Sequence, residues 1–338
     1  MRRGAEWAER RQVPLYLAAL AVGAAVGLAA PAVSGPAESA IQPVLGLLLY
    51  VTFLGVPFAK IVPALRDWRF LTTVLATNFL AVPAVVLAVS RIVAHDDALL
   101  AGVLFVLLTP CVDYVIVFTG IAGGSTGRLL ATAPLLMLAQ MVLLPVYLRL
   151  FLGSGFVDSV DVAPFVEAFL LLIVVPLAAA GLTQAAGRTR PGAALQRAAT
   201  GAMVPLMMFT LAVVVASQID GVRARLGALL LVVPVYVLFA GVMVAVGVFA
   251  SRVARLDVPA GRAVVFSGVT RNSLVVLPLV LALPPAFDLA PLAVVTQTLV
   301  ELVVMVILVR LVPRLMPCRS GPAGDVDGGP GSGPDEGG

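Results

Sequence analysis

The sequence has 338 residues, 61% of them apolar and 12% charged, with a formal net charge of +4. Soluble domains run at about half apolar and a quarter charged, because their surfaces must be covered with charge. That balance excludes an ordinary soluble enzyme and fits a chain that lies in lipid.

Taken in chain order, apolar runs near 13–33, 40–59, 70–90, 98–120, 129–150, 163–184, 198–218, 226–249, 262–283 and 291–312 are each near the length that crosses a hydrocarbon core at about 1.5 Å per residue. The first run follows an arginine-rich opening, as in a signal peptide. No convincing small-residue cleavage pattern follows it, so it is read as span 1. About ten transmembrane helices are therefore predicted in an all-α polytopic membrane protein.

With the N-terminus inside, the inner segments hold seventeen Lys and Arg and the outer ones four, namely Arg91, Arg149, Arg223 and Arg225. This bias predicts a multi-pass plasma-membrane protein with cytoplasmic N- and C-termini. It also explains the positive net charge without any nucleic-acid partner. The join near 152–162 divides the chain into five-span halves, 1–155 and 156–316. An odd number of spans per half predicts a 5+5 inverted repeat, a plan common among secondary transporters. The Gly- and Pro-rich tail, 317–338, is predicted to be disordered and cytoplasmic.

Several chemistries lack their parts. The chain has two cysteines, Cys111 and Cys318, and one histidine, His95, read as a surface loop residue. That rules out a disulfide scaffold or a multi-cysteine metal site and leaves a Ser-His-Asp triad almost nothing to use. No GxxxxGK[ST] loop is present, which argues against an ATP-driven pump. Neither a cofactor nor an enzymatic activity is expected.

The polar residues inside the spans carry the functional reading. Span 4 contains Pro110, which removes an N–H and breaks the helix near mid-membrane, followed by Cys111 and Asp113. Span 9 holds Ser267, Thr270, Arg271, Asn272 and Ser273 before Pro278. Span 10 holds Thr296, Gln297, Thr298 and Glu301. Ionisable groups at that depth are costly and mark function or pairing. Arg271 is expected to pair with Asp113, leaving Glu301 to exchange a proton; the rival pairing is Arg271 with Glu301. Asn78 in span 3 and Gln140 in span 5 are lesser candidates that need partners in lipid, and Glu167 is expected to snorkel.

These residues carry a resemblance. TPC at 109–111, NFLAVP at 78–83, RNSLVVLPL at 271–279 and LVEL at 299–302 resemble the bile acid/arsenite/riboflavin transporter superfamily, and within it the arsenite-efflux permeases. The resemblance implies a panel and a core domain, with discontinuous helices 4 and 9 crossing at their broken centres. It makes Cys111 the thiol that would hold arsenic(III) and Glu301 the coupling carboxylate. Asn78, Asp113, Arg271, Asn272 and Ser273 complete the expected substrate site, and Gln297 and Asp113 accompany Glu301 in ion coupling. The chain departs from the arsenite branch at Val275, where a glutamate is usual, and at Arg271 and Asp113, where small polar residues are usual. A fixed guanidinium would repel sodium. The resemblance thus implies arsenical resistance, by export of trivalent arsenite, with antimonite as a further cargo, in antiport with protons. The alternative is transport of a small organic anion, with Arg271 as its counter-charge.

Overall fold

The computed structural model describes residues 11–55, 67–112, 115–153, 167 and 170–317. Asp113, Cys318, most of the 152–162 join and nearly all of the 317–338 tail lie outside the described residues. Every regular element among the described residues is helical.

In chain order these are α1 (Gln12–Ala29), α2 (Ser34–Gly55), α3 (Trp68–Val93), α4 (Asp97–Leu107), α5 (Val115–Ile121) and α6 (Thr126–Leu152). They continue with α7 (Val175–Ala185), α8 (Arg190–Ala224), α9 (Leu226–Val253), α10 (Val258–Val269), α11 (Ser273–Leu281) and α12 (Leu289–Leu315). Among the described residues, six helical stretches are long and apolar enough to cross a membrane: α2, α3, α6, Gly201–Ile219 within α8, α9, and Pro285–Leu315, which includes α12. The apolar stretches Pro14–Ala29, Asp97–Leu107 and Val258–Val269 are shorter. Predicted spans 4 and 9 are each two short helices, α4 with α5 and α10 with α11, rather than continuous crossings.

Helix boundaries differ from the hydropathy reading where capping decides them. Helix α2 starts at Ser34 rather than near 40, with Pro36 in its first turn, where backbone N–H groups lack helical partners anyway. Helix α8 begins with the Thr189 side chain accepting from the Gly192 N–H at 3.2 Å, eight residues before the predicted start. His95 is exposed in the turn after α3, and Glu167 is exposed as well.

The helices pack in two groups. Helix α8 lies along α1 and α2, and α7 packs on α2. In the other group α9 packs on α10 and α12, α4 and α11 on α12, and α3 on α10. The groups meet where α8 touches α12 and α11 touches α2. Each group draws on both halves of the chain, so packing does not follow the 155/156 division. Small residues allow the closest approaches. A Cβ on Gly23 would stand 2.5 Å from the Ala212 carbonyl oxygen, and one on Gly102 2.7 Å from that of Ala290.

Candidate functional site

The site lies where the two broken helices meet. Helix α4 is started by Asp96, whose carboxylate accepts from the N–H groups of Ala98 at 3.0 Å and Leu99 at 2.9 Å. It stops at Leu107, two residues short of the Thr109-Pro110 pair. Helix α10 stops at Val269, and the chain turns extended at Thr270. The threonines end their helices alike. The Thr109 hydroxyl donates to the Phe105 carbonyl at 2.9 Å, and the Thr270 hydroxyl donates to the Phe266 carbonyl at 2.7 Å.

Beyond those ends the two chains form an antiparallel bridge between Pro110 and Arg271. The Cys111 N–H donates to the Thr270 carbonyl at 3.2 Å, and the Asn272 N–H donates to the Thr109 carbonyl at 2.9 Å. The pattern is reciprocal: exchanging the two segments maps one bond onto the other. Non-helical backbone at this depth must be satisfied by protein or water, and here each break satisfies the other. The Asn272 side chain then accepts from the Val275 N–H at 3.2 Å and starts α11.

Arg271 is fully buried. Its Nη2 donates to Asn78 Oδ1 at 2.8 Å and to the carbonyls of Ser267 at 2.6 Å and Gly268 at 2.7 Å. Its Nη1 donates to the Leu107 carbonyl at 3.3 Å, and the guanidinium lies 5.5 Å from the centre of the Phe239 ring. The side chain thus takes the Ser267 carbonyl that a continued helix would have given to the Arg271 N–H. That N–H donates instead to Glu301 Oε2 at 2.9 Å. Of the two pairings read from sequence, Asp113 falls outside the described residues, and Glu301 meets Arg271 through its main chain.

Glu301 and Gln297 lie one turn apart on α12, and Gln297 Nε2 also donates to Glu301 Oε2. The Thr298 hydroxyl donates to Ser273 Oγ at 2.7 Å. Beside Glu301 is a cavity of about 10 Å³, lined among others by Leu107, Tyr236, Phe239 and Gln297, with room for about one water. Gln297 Oε1, in that lining, and Asn272 Nδ2 in the crossover are buried without a hydrogen-bond partner among the described residues.

Asn78 reaches the site because α3 is distorted. Thr77–Ala81 is a π-helical turn, in which the Val82 N–H bonds to the Thr77 carbonyl. Pro83 cannot donate to the Phe79 carbonyl one turn earlier, and the Tyr147 hydroxyl donates to it instead at 2.6 Å. The Asn78 amide donates to the Val74 carbonyl at 3.0 Å and to Ser267 Oγ at 2.9 Å, so its oxygen faces Arg271.

The structure therefore brings Asn78, the Cys111 main chain, Arg271, Asn272, Ser273, Gln297 and Glu301 into one neighbourhood. Cys111 itself is fully buried. Gln140 is buried, and its Oε1 has no hydrogen-bond partner among the described residues. No cluster of three or more metal-ligating side chains occurs among the described residues. Sequence reading missed Phe239 and Tyr147, which carry no polar signal inside an apolar span. It also counted Arg262, the first residue of the predicted span 262–283, among the seventeen inner charges. The structure places Arg262 within α10, buried, where it donates to the carbonyls of Ala122 at 2.8 Å and Met316 at 2.8 Å.

A family model described as the SBF-like CPA transporter family matches residues 15–314. No curated protein matches the chain.

Proposed function

Since the chain belongs to the SBF-like CPA transporter family, and is thus a membrane-embedded transporter within the bile acid:sodium symporter-like superfamily, we propose that it exports trivalent arsenite in exchange for protons, with the crossover as its translocation site. In this reading Cys111 supplies the thiolate that holds the soft arsenic centre, and Glu301 carries the exchanged proton. Asn272, Ser273 and Gln297 offer hydrogen bonds to the cargo hydroxyls. The chain lies in the plasma membrane with both termini cytoplasmic, and the five-span halves are an inverted repeat.

One observation carries the reading. Cys111 follows Pro110 in the reciprocal backbone bridge and donates its N–H to Thr270, and Arg271, next to Thr270 and opposite Pro110, passes its own N–H to Glu301. A thiol and a coupling carboxylate thus bear on the same short stretch of backbone. A single thiol suits reversible capture of an uncharged trihydroxide: the Cys111 sulfur displaces one hydroxide, which leaves as water with the thiol's proton, and on release water hydrolyses that one As–S bond.

The organic-anion alternative asks Arg271 to meet the cargo. Its guanidinium is buried and directed at Asn78 and three main-chain carbonyls, which favours the first reading. Inside-out membrane vesicles test the proposal. An imposed proton gradient, acid inside, should drive arsenite accumulation that collapses with a protonophore. Accumulation no greater than in vesicles lacking the protein would refute arsenite as cargo.

A further inference from the structure

Four oxygens of the described residues accept from the Arg271 guanidinium, and their origin is informative. Leu107 is the last residue of α4, while Ser267 and Gly268 lie in the last turn of α10. Their carbonyls belong to the groups that a helix end leaves without N–H partners, and they carry the negative end of the helix dipole. The fourth is the Asn78 amide oxygen. Two half-helix C-termini thus converge, fully buried, on one positive group. Converging half-helix ends and unwound carbonyls are the arrangement with which transporters coordinate alkali cations, and neutral oxygens are the ligands such hard ions take.

We propose that this is an alkali-cation site occupied permanently by the chain's own guanidinium. Arg271 is a tethered, non-exchanging cation that neutralises the two helix ends. Its flat fork spreads donors over several oxygens where a single ion would sit at their centre. Phe239 covers one face of the guanidinium, a contact that stabilises a cation of either kind. The native protein therefore binds no alkali ion at this position. Truncating Arg271 exposes a site for a monovalent cation of sodium-like size. The inference does not depend on what the cargo is.

The test is made on the purified full chain in detergent, comparing lithium, sodium and potassium chloride with choline chloride at one chloride concentration. Thermal unfolding and retention of radiolabelled sodium are both read. Wild type and Arg271→Lys, which keeps a cation in place, should give equal midpoints in all four salts and retain no sodium. Arg271→Ala should unfold at lower temperature in choline, then rise saturably by about 5 °C at roughly a hundred times the Kd of its preferred ion. Should Arg271→Ala not be recovered folded, Arg271→Ser carries the same arm. Saturable stabilisation or sodium retention in wild type or Arg271→Lys overturns the proposal. So does a folded truncation variant that responds to none of the three ions.

Discussion

The main-chain N–H of Arg271 donates to Glu301 Oε2 at 2.9 Å, while the guanidinium of the same residue turns back on the helix it ends, to the carbonyls of Ser267 and Gly268. The break in α10 is thus closed by its own side chain, and the N–H so released ties α10 to α12. Glu301→Gln can keep an acceptor oxygen on that N–H but has no proton to exchange. It should fold like wild type and lose transport on the order of tenfold or more, equivalent to at least about 1.4 kcal/mol. Glu301→Ala also strands a buried N–H and should lose about 1–3 kcal/mol of stability. Transport and thermal midpoint measured together separate the two effects.

Asn78 of α3 bridges Ser267, in the last turn of α10, and Arg271 just beyond it. Asn78→Ala leaves a buried guanidinium donor and a buried hydroxyl without that partner. A loss of about 1–3 kcal/mol is expected, read as a fall in the unfolding midpoint. Asn78→Asp gives up the amide donor but keeps the oxygen that accepts from Arg271 and adds charge opposite the guanidinium, and should be recovered better folded than the alanine variant.

Tyr147 serves the carbonyl that Pro83 leaves without its helical donor. Tyr147→Phe removes only that hydroxyl and should cost about 1 kcal/mol. Replacing Pro83 by Ala in the Tyr147→Phe background restores an N–H donor to α3. Most of the loss should then return in a double-mutant cycle of thermal midpoints. Independent, additive effects would contradict the link.

Much of this was legible in the sequence because lipid makes polarity expensive. Pro110, Arg271, Asn272, Gln297 and Glu301 stand out in apolar runs, and the structure gathers all five at one crossing. The matched threonines were also in plain view, since Thr109 and Thr270 each follow a phenylalanine by four residues. Hydropathy could not show the direction of the Arg271 donors. Charge pairing is the usual expectation for a buried guanidinium, yet helix-end carbonyls accept from it as well. The π-helical turn at Thr77–Ala81 was equally hidden, since Asn78 and Pro83 signal irregularity without saying which kind. Arg262 was misread because a charge near a predicted span end usually lies in a loop, whereas here carbonyls at the ends of α5 and α12 hold it inside.

Orientation rests on the arginine bias and is checked by labelling single cysteines in a Cys111→Ala, Cys318→Ala background. An impermeant thiol reagent added to intact cells should label a cysteine placed at His95 and spare one placed at Arg252. The opposite pattern would invert the topology.

Arsenite accumulation in an efflux-deficient bacterium, with wild type or Cys111→Ser at matched membrane expression, tests the central claim most directly. Wild type should lower cell-associated arsenic, the effect should vanish when the proton gradient is collapsed, and Cys111→Ser should behave like the empty vector. Accumulation unchanged by wild type, or lowered equally by Cys111→Ser, would contradict a thiol-based export of arsenite through the crossover.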